Sequence, residues 1–155
     1  MHAYVGAVRQ ALRLTGEPTP RSFVDAAMGA GALRVADIAR NSGTMRLDGR
    51  WFVVVRRGLA PKRAHWEMAF RFAEWALAQD KIAHPHVTPN TVAAALLLPP
   101  NATIRELREH GAVDAARRLV VPVMATVLRE AELVEVPAVH VLRGAYVRIR
   151  GDARG

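Results

Sequence analysis

Cysteine is absent from all 155 residues. Its absence excludes disulfide scaffolds, thiolate-ligated zinc and thiol nucleophiles. Serine is almost absent as well. Ser22 and Ser42 are the only two, and neither sits in a Gly-x-Ser-x-Gly elbow, so serine hydrolysis has no support. Long apolar runs are missing. The stretch from Leu119 to Leu128 is broken by Pro122 and Thr126 and falls well short of the ~20 residues that span a bilayer. Arg9 and Arg13 interrupt the apolar pattern of the N-terminus, which leaves no signal-peptide core, and a cytoplasmic location is expected. No Gly-x-x-x-x-Gly-Lys loop occurs, and Gly29-Ala30-Gly31-Ala32 does not complete a dinucleotide fingerprint. Lysine is scarce: of 22 basic residues all but Lys62 and Lys81 are arginine.

What is present suits one folded domain. A chain of 155 residues that is 51% hydrophobic and 23% charged can bury a core and is not disordered in composition. The net charge is +8. It is concentrated in residues 41–81 and in the tail from 136, whereas residues 82–135 are slightly acidic. Such a balance permits nucleic-acid or acidic partners without demonstrating either.

The pattern along the chain is mixed. Residues 2–15 read as an amphipathic helix with Tyr4, Val5, Val8 and Leu12 at helical spacing. Thr19 followed by Pro20 starts a second helix, with Phe23, Ala26, Ala27 and Met28 as its apolar side. Residues 44–58 read as a β-hairpin around Asp48-Gly49, with Trp51–Val55 as its second strand. A helix runs from Pro61 to about Ala78. Thr88-Pro89 starts another, ended by Pro99-Pro100. Thr103 with Glu106 forms a capping-box pattern for a short helix stopped by Gly111. Two more short helices follow around Ala115–Leu119 and Val123–Glu130. Residues 138–150 read as a terminal hairpin.

The helix from Pro61 is the informative one. Trp66, Phe70, Ala73 and Leu77 make one apolar face, and Met68, Phe72 and Trp75 make a second, so the helix is expected to be buried from two sides. Arg63, Glu67, Arg71 and Glu74 share the remaining stripe as a ladder of alternating charge. Such a ladder is commonly a solvated face. The alternative is that it lines a groove.

Strand Trp51–Val55, then Pro61-Lys62-Arg63, then the buried helix, then Asn90 and Val92–Pro99 together resemble the ImmA/IrrE-type zincin peptidase domain. Leu119–Pro122 through Arg129 also resembles the element that follows in that family, and the likeness covers roughly residues 20–135. The family holds Zn²⁺ with a His-Glu-x-x-His motif on the central helix, where the Glu polarises the bound water. The resemblance puts Phe70, Arg71 and Glu74 on the three motif positions. Phe70 cannot ligate, Arg71 cannot act as a base and repels a cation, and Glu74 alone is not a site. The family's later acidic ligand falls where His86-Val87-Thr88 stands.

The resemblance therefore implies a degenerate, non-catalytic member without zinc. It would bind a protein partner or regulate in a bacterial or phage, toxin–antitoxin or stress-response setting. Arg63, Glu67, Arg71, Glu74 and His86 are the groove candidates, and the sheet near Trp51–Val55 is expected to accept an added strand.

Other readings stay open. His84 and His86 with Glu74 could form a weak metal site. No two of the six His stand at i,i+4, and a solvated loop is the plainer reading of the first two. His65 and Glu67 echo a deaminase signature whose cysteines are missing. A winged helix-turn-helix over residues 115–150 would bind DNA through Arg117, Arg118, Arg129, Arg143, Arg148 and Arg150. Its presumed recognition helix, Val123–Leu128, is almost wholly apolar, which counts against base readout. A structural or assembly subunit is the third class.

The fold expectation is a single α+β, zincin-like domain over 1–155. It has an N-terminal helix and linker (1–19), a family-like core (20–135) with a small antiparallel sheet and a buried central helix, and a terminal hairpin and tail (136–155).

Overall fold

The computed structural model describes residues 2–13, 19–80, 87–98 and 100–133. Helix α1 spans His2–Ala11. Helix α2 spans Pro20–Met28 and starts as its sequence dictates: Thr19 Oγ1 accepts from the Ser22 amide at 3.3 Å, and Pro20 supplies the first-turn φ. Its buried side is Phe23 and Val24, both 0% exposed, with Ala27 and Met28 partly covered. Ala26, expected on that side, is exposed.

Three strands follow: β1 (Leu33–Ala36), β2 (Ser42–Leu47) and β3 (Arg50–Arg56). The β2–β3 hairpin closes through Asp48-Gly49, with φ of 49° and 79°. Positive φ at both central residues gives the turn whose twist matches the strands. The antiparallel register pairs Met45 with Phe52 and Ser42 with Val55. The sheet is mixed rather than antiparallel, because β1, which the sequence pattern does not announce, runs parallel to β3 and pairs Leu33 with Val53. The order is β1-β3-β2. That order corrects the expectation of an added strand beside Trp51–Val55. Both sides of β3 already carry a partner, so its backbone groups are spent.

Helix α3 (Pro61–Gln79) is the centre of the molecule. Trp66, Ala69, Phe72, Ala73, Ala76 and Leu77 are buried, and Met68, Phe70 and Trp75 pack partly covered against the same core. Burial from two sides holds. Helix α4 lies along α3, α2 adds Phe23 against Phe72 with ring centroids 5.5 Å apart, and the sheet covers another flank. Helix α4 (Pro89–Leu97) begins in a reciprocal cap between Thr88 and Thr91, and Val92 to Leu96 are all buried.

Helix α5 (Pro100–Arg118) starts at Pro100, so the expected start after Thr103 is too late. Pro100 begins α5, as proline at a first helical position permits. Glu106, expected in a cap, instead accepts from Arg118 Nε at 2.9 Å. Gly111 breaks α5 at φ 71°, ψ 172°, where the sequence places a stop. Helix α6 (Val123–Leu133) packs against α4 and α5. The hydroxyl of Thr126 is shared between the Ala112 carbonyl at 2.7 Å and its own helix at Val123, 2.8 Å. One core cluster runs from Val5 to Ala125, with a smaller one around Leu107, Val113 and Val127 joined to it through Leu119 and Val123. The expected terminal hairpin lies outside the described residues. No helix among the described residues is long and apolar enough to cross a membrane.

Candidate functional site

The charged stripe of α3 is solvated at its ends, Arg63 and Glu74, and buried in its middle. Glu67 is 5% exposed and Ser42, at the start of β2, is 1% exposed. Ser42 lies in phase with the inward-facing Val53 and Val55, which aims its hydroxyl at α3. Arg63 Nη2 meets Glu67 Oε1 at 2.7 Å. The other carboxylate oxygen, Oε2, accepts from the Ser42 hydroxyl. Ser42 Oγ in turn accepts from Arg71 Nε at 2.9 Å, and Arg71 Nη1 donates to Glu74 Oε2 at 2.8 Å. The Arg71 guanidinium also lies 5.2 Å from the Phe70 ring centroid.

Five side chains thus form one continuous relay, from half-exposed Arg63 through buried Glu67 and Ser42 to Arg71 and solvent-reaching Glu74. Two guanidinium groups balance two carboxylates. Each buried charge has a hydrogen-bonded partner, as the low dielectric requires.

The ladder was legible except for its middle. Local spacing predicts the Arg63–Glu67 and Arg71–Glu74 pairs. The bridge between them is Ser42, 25 residues before Glu67. Its only sequence signal is its even spacing from Thr44 and Arg46 on an edge strand, which places it on the face turned toward α3.

The chemical capacity of the relay is narrow. Ser42 cannot meet a substrate while buried, and its hydroxyl is already engaged as a hydrogen-bond donor to Glu67. Arg71 fills the space between Phe70 and Glu74 with a fixed cation, so an ion of the same sign is repelled there. Among the described residues no cluster of three or more His, Asp or Glu could hold a metal. His86 and His84 lie outside the described residues. His65 is exposed whereas Glu67 is buried, so the deaminase-like pair points to different environments.

Among the described residues, two cavities open elsewhere along α3. One of about 190 Å³ is apolar and borders Trp75. Among the described residues, Trp75 Nε1 has no hydrogen-bond partner. The other, about 300 Å³, lies near Lys62, His65 and the turn at Leu119–Val121.

The helix-turn-helix reading meets a different geometry. Arg117 pairs with Asp114 at 3.0 Å and Arg118 with Glu106 at 2.9 Å, both near the surface. Arg129 is 1% exposed, and Ala125, Thr126 and Val127 are fully buried, so the middle of α6 faces the core rather than a groove of DNA. Arg143, Arg148 and Arg150 lie outside the described residues. Compared with known protein families and with curated proteins, the chain matches no family model and no curated protein.

Proposed function

We propose that this chain is a degenerate ImmA/IrrE-type zincin domain that does not hydrolyse peptides and serves as a protein-interaction or regulatory module. The observation that carries the reading is Arg71. It stands where the resemblance places the general base, and it is tied to Ser42 and Glu74 rather than left at an open site. A zincin needs two imidazoles one turn apart and a carboxylate free to polarise water. Phe70, Arg71 and Glu74 supply none of these functions. The substituted side chains satisfy one another, which supports a scaffold kept for its shape. The same resemblance supports a bacterial or phage setting.

The test is metal content by mass spectrometry together with cleavage of a generic unfolded substrate. The expected result is no stoichiometric metal and no cleavage. Stoichiometric zinc with EDTA-sensitive proteolysis overturns the proposal.

A further inference from the structure

The outward face of the sheet carries a cluster that the peptidase-like reading leaves unused. Side chains alternate across strands. The register therefore places Arg34 of β1, Met45 and Leu47 of β2, and Arg50, Phe52 and Arg56 of β3 on one face. Ser42, Val53 and Val55 are on the other, which is buried toward α3. On the outward face Met45 is 45% exposed and Leu47 54%. The guanidinium groups of Arg34 and Arg50 lie over the half-buried Phe52 ring, 5.5 and 5.7 Å from its centroid.

This face gathers three arginines without a carboxylate partner among the described residues, a lack that Arg40, Arg46, Lys62 and Arg108 share elsewhere on the surface. Arg21, Arg57, Arg63, Arg71, Arg117 and Arg118 each contact a carboxylate. Among the described residues Arg34, Arg50 and Arg56 have none within ion-pair distance. Apart from the Phe52 ring, Arg50 reaches the Ala30 carbonyl, at 3.4 Å. Arg50 stands directly across from Leu47, and Arg34 and Arg56 extend the positive charge along the same face past Val54, which is 9% exposed. Arginine, methionine and aromatic side chains are the types enriched where protein surfaces meet a partner, and an apolar patch rimmed by polar groups marks such a surface.

We infer that this face docks an acidic amphipathic peptide segment of a partner protein, with carboxylates on Arg34, Arg50 and Arg56 and apolar side chains over Met45 and Leu47. Charge complementarity sets the sign of the partner. The aliphatic pair sets its second requirement, since carboxylates alone leave that surface wet. Single-stranded nucleic acid fits less well. Sheet readers stack bases on open aromatic rings, whereas Phe52 already carries two guanidinium groups and Met45 and Leu47 offer no ring. The inference uses no residue of α3, so it stands or falls separately from the pseudo-peptidase reading.

The experiment is fluorescence anisotropy of the full chain with three labelled probes: a short peptide alternating Glu and Leu, an all-Glu peptide of equal length, and oligothymidylate. The Glu-Leu peptide is expected to bind most tightly and to weaken with salt. It should lose about tenfold or more in affinity in Arg34→Glu/Arg50→Glu and in Met45→Ser/Leu47→Ser. Reversal of the exposed Arg108 on α5 should leave binding unchanged. Amide chemical-shift changes in the unmodified chain should map to β1–β3, which keeps the test valid if a variant folds poorly. No peptide binding, or an equal loss in Arg108→Glu, overturns the inference. Tighter oligothymidylate binding that ignores Met45→Ser/Leu47→Ser also overturns it and assigns the face to nucleic acid.

Discussion

Arg71 on α3 donates through Nε to Ser42 Oγ on β2 at 2.9 Å, a bond between residues 29 apart in sequence. It ties the edge strand to the central helix through polar groups in an otherwise apolar layer. Ser42→Ala strips one partner from the Glu67 carboxylate, which is 5% exposed, and one from Arg71. The expected cost is about 1–3 kcal/mol. Urea denaturation should show a lower midpoint with an unchanged slope. A double-mutant cycle with Arg71→Ala should show coupling well away from zero. Strict additivity would mean that the two side chains do not act together.

The triple variant Phe70→His/Arg71→Glu/Glu74→His tests the proposed zincin alignment of α3. Phe70 and Glu74 stand one turn apart, and the Glu74 side chain is 44% exposed, so two imidazoles there can converge on an ion. Titration with Co²⁺ should produce a visible ligand-field band in the variant and none in the parent. A folded variant that takes up no metal would show that the motif has been aligned to the wrong positions.

Phe72 is 1% exposed and touches the rings of Phe23 and Trp75, with centroids 5.5 and 6.0 Å away. Phe72→Ala removes that contact at the junction of α2 and α3 and leaves a void. The expected loss is about 3–5 kcal/mol by thermal or chemical denaturation. A loss under half of that would mean that α2 collapses into the gap.

Gly111 holds φ 71°, ψ 172° between the two halves of α5. Side-chain-bearing residues almost never occupy that region. Gly111→Ala should cost about 1–3 kcal/mol and disturb Thr126, whose hydroxyl is anchored on the neighbouring Ala112 carbonyl at 2.7 Å. Calorimetry of the variant checks the first, and the amide shifts of α6 check the second.

Features with local causes were legible in the sequence. Thr19-Pro20, Thr88-Pro89, Asp48-Gly49 and the two apolar faces of α3 each act over a few residues, and all are found as expected. Features with distant causes were not. Strand β1 has only four residues, with no alternation of exposure, and exists because β3 offers it a partner. Ser42 becomes part of the relay only when β2 lies across α3. Arg129 reads as a phosphate contact because arginine is rarely buried, yet α6 carries it into the interior.

The placement of β1 beside the far strand of the hairpin has a kinetic consequence. A two-residue turn lets β2 and β3 meet within about 1–10 μs. Leu33 must find Val53 from twenty positions away, in a parallel arrangement that no tight turn can make. Non-local pairings of this kind form late, after their loop entropy has been met by other contacts. Leu33→Ala should therefore leave the refolding limb of a chevron nearly unchanged and raise the unfolding rate. The strand that completes the sheet would be the last to arrive and the first to leave.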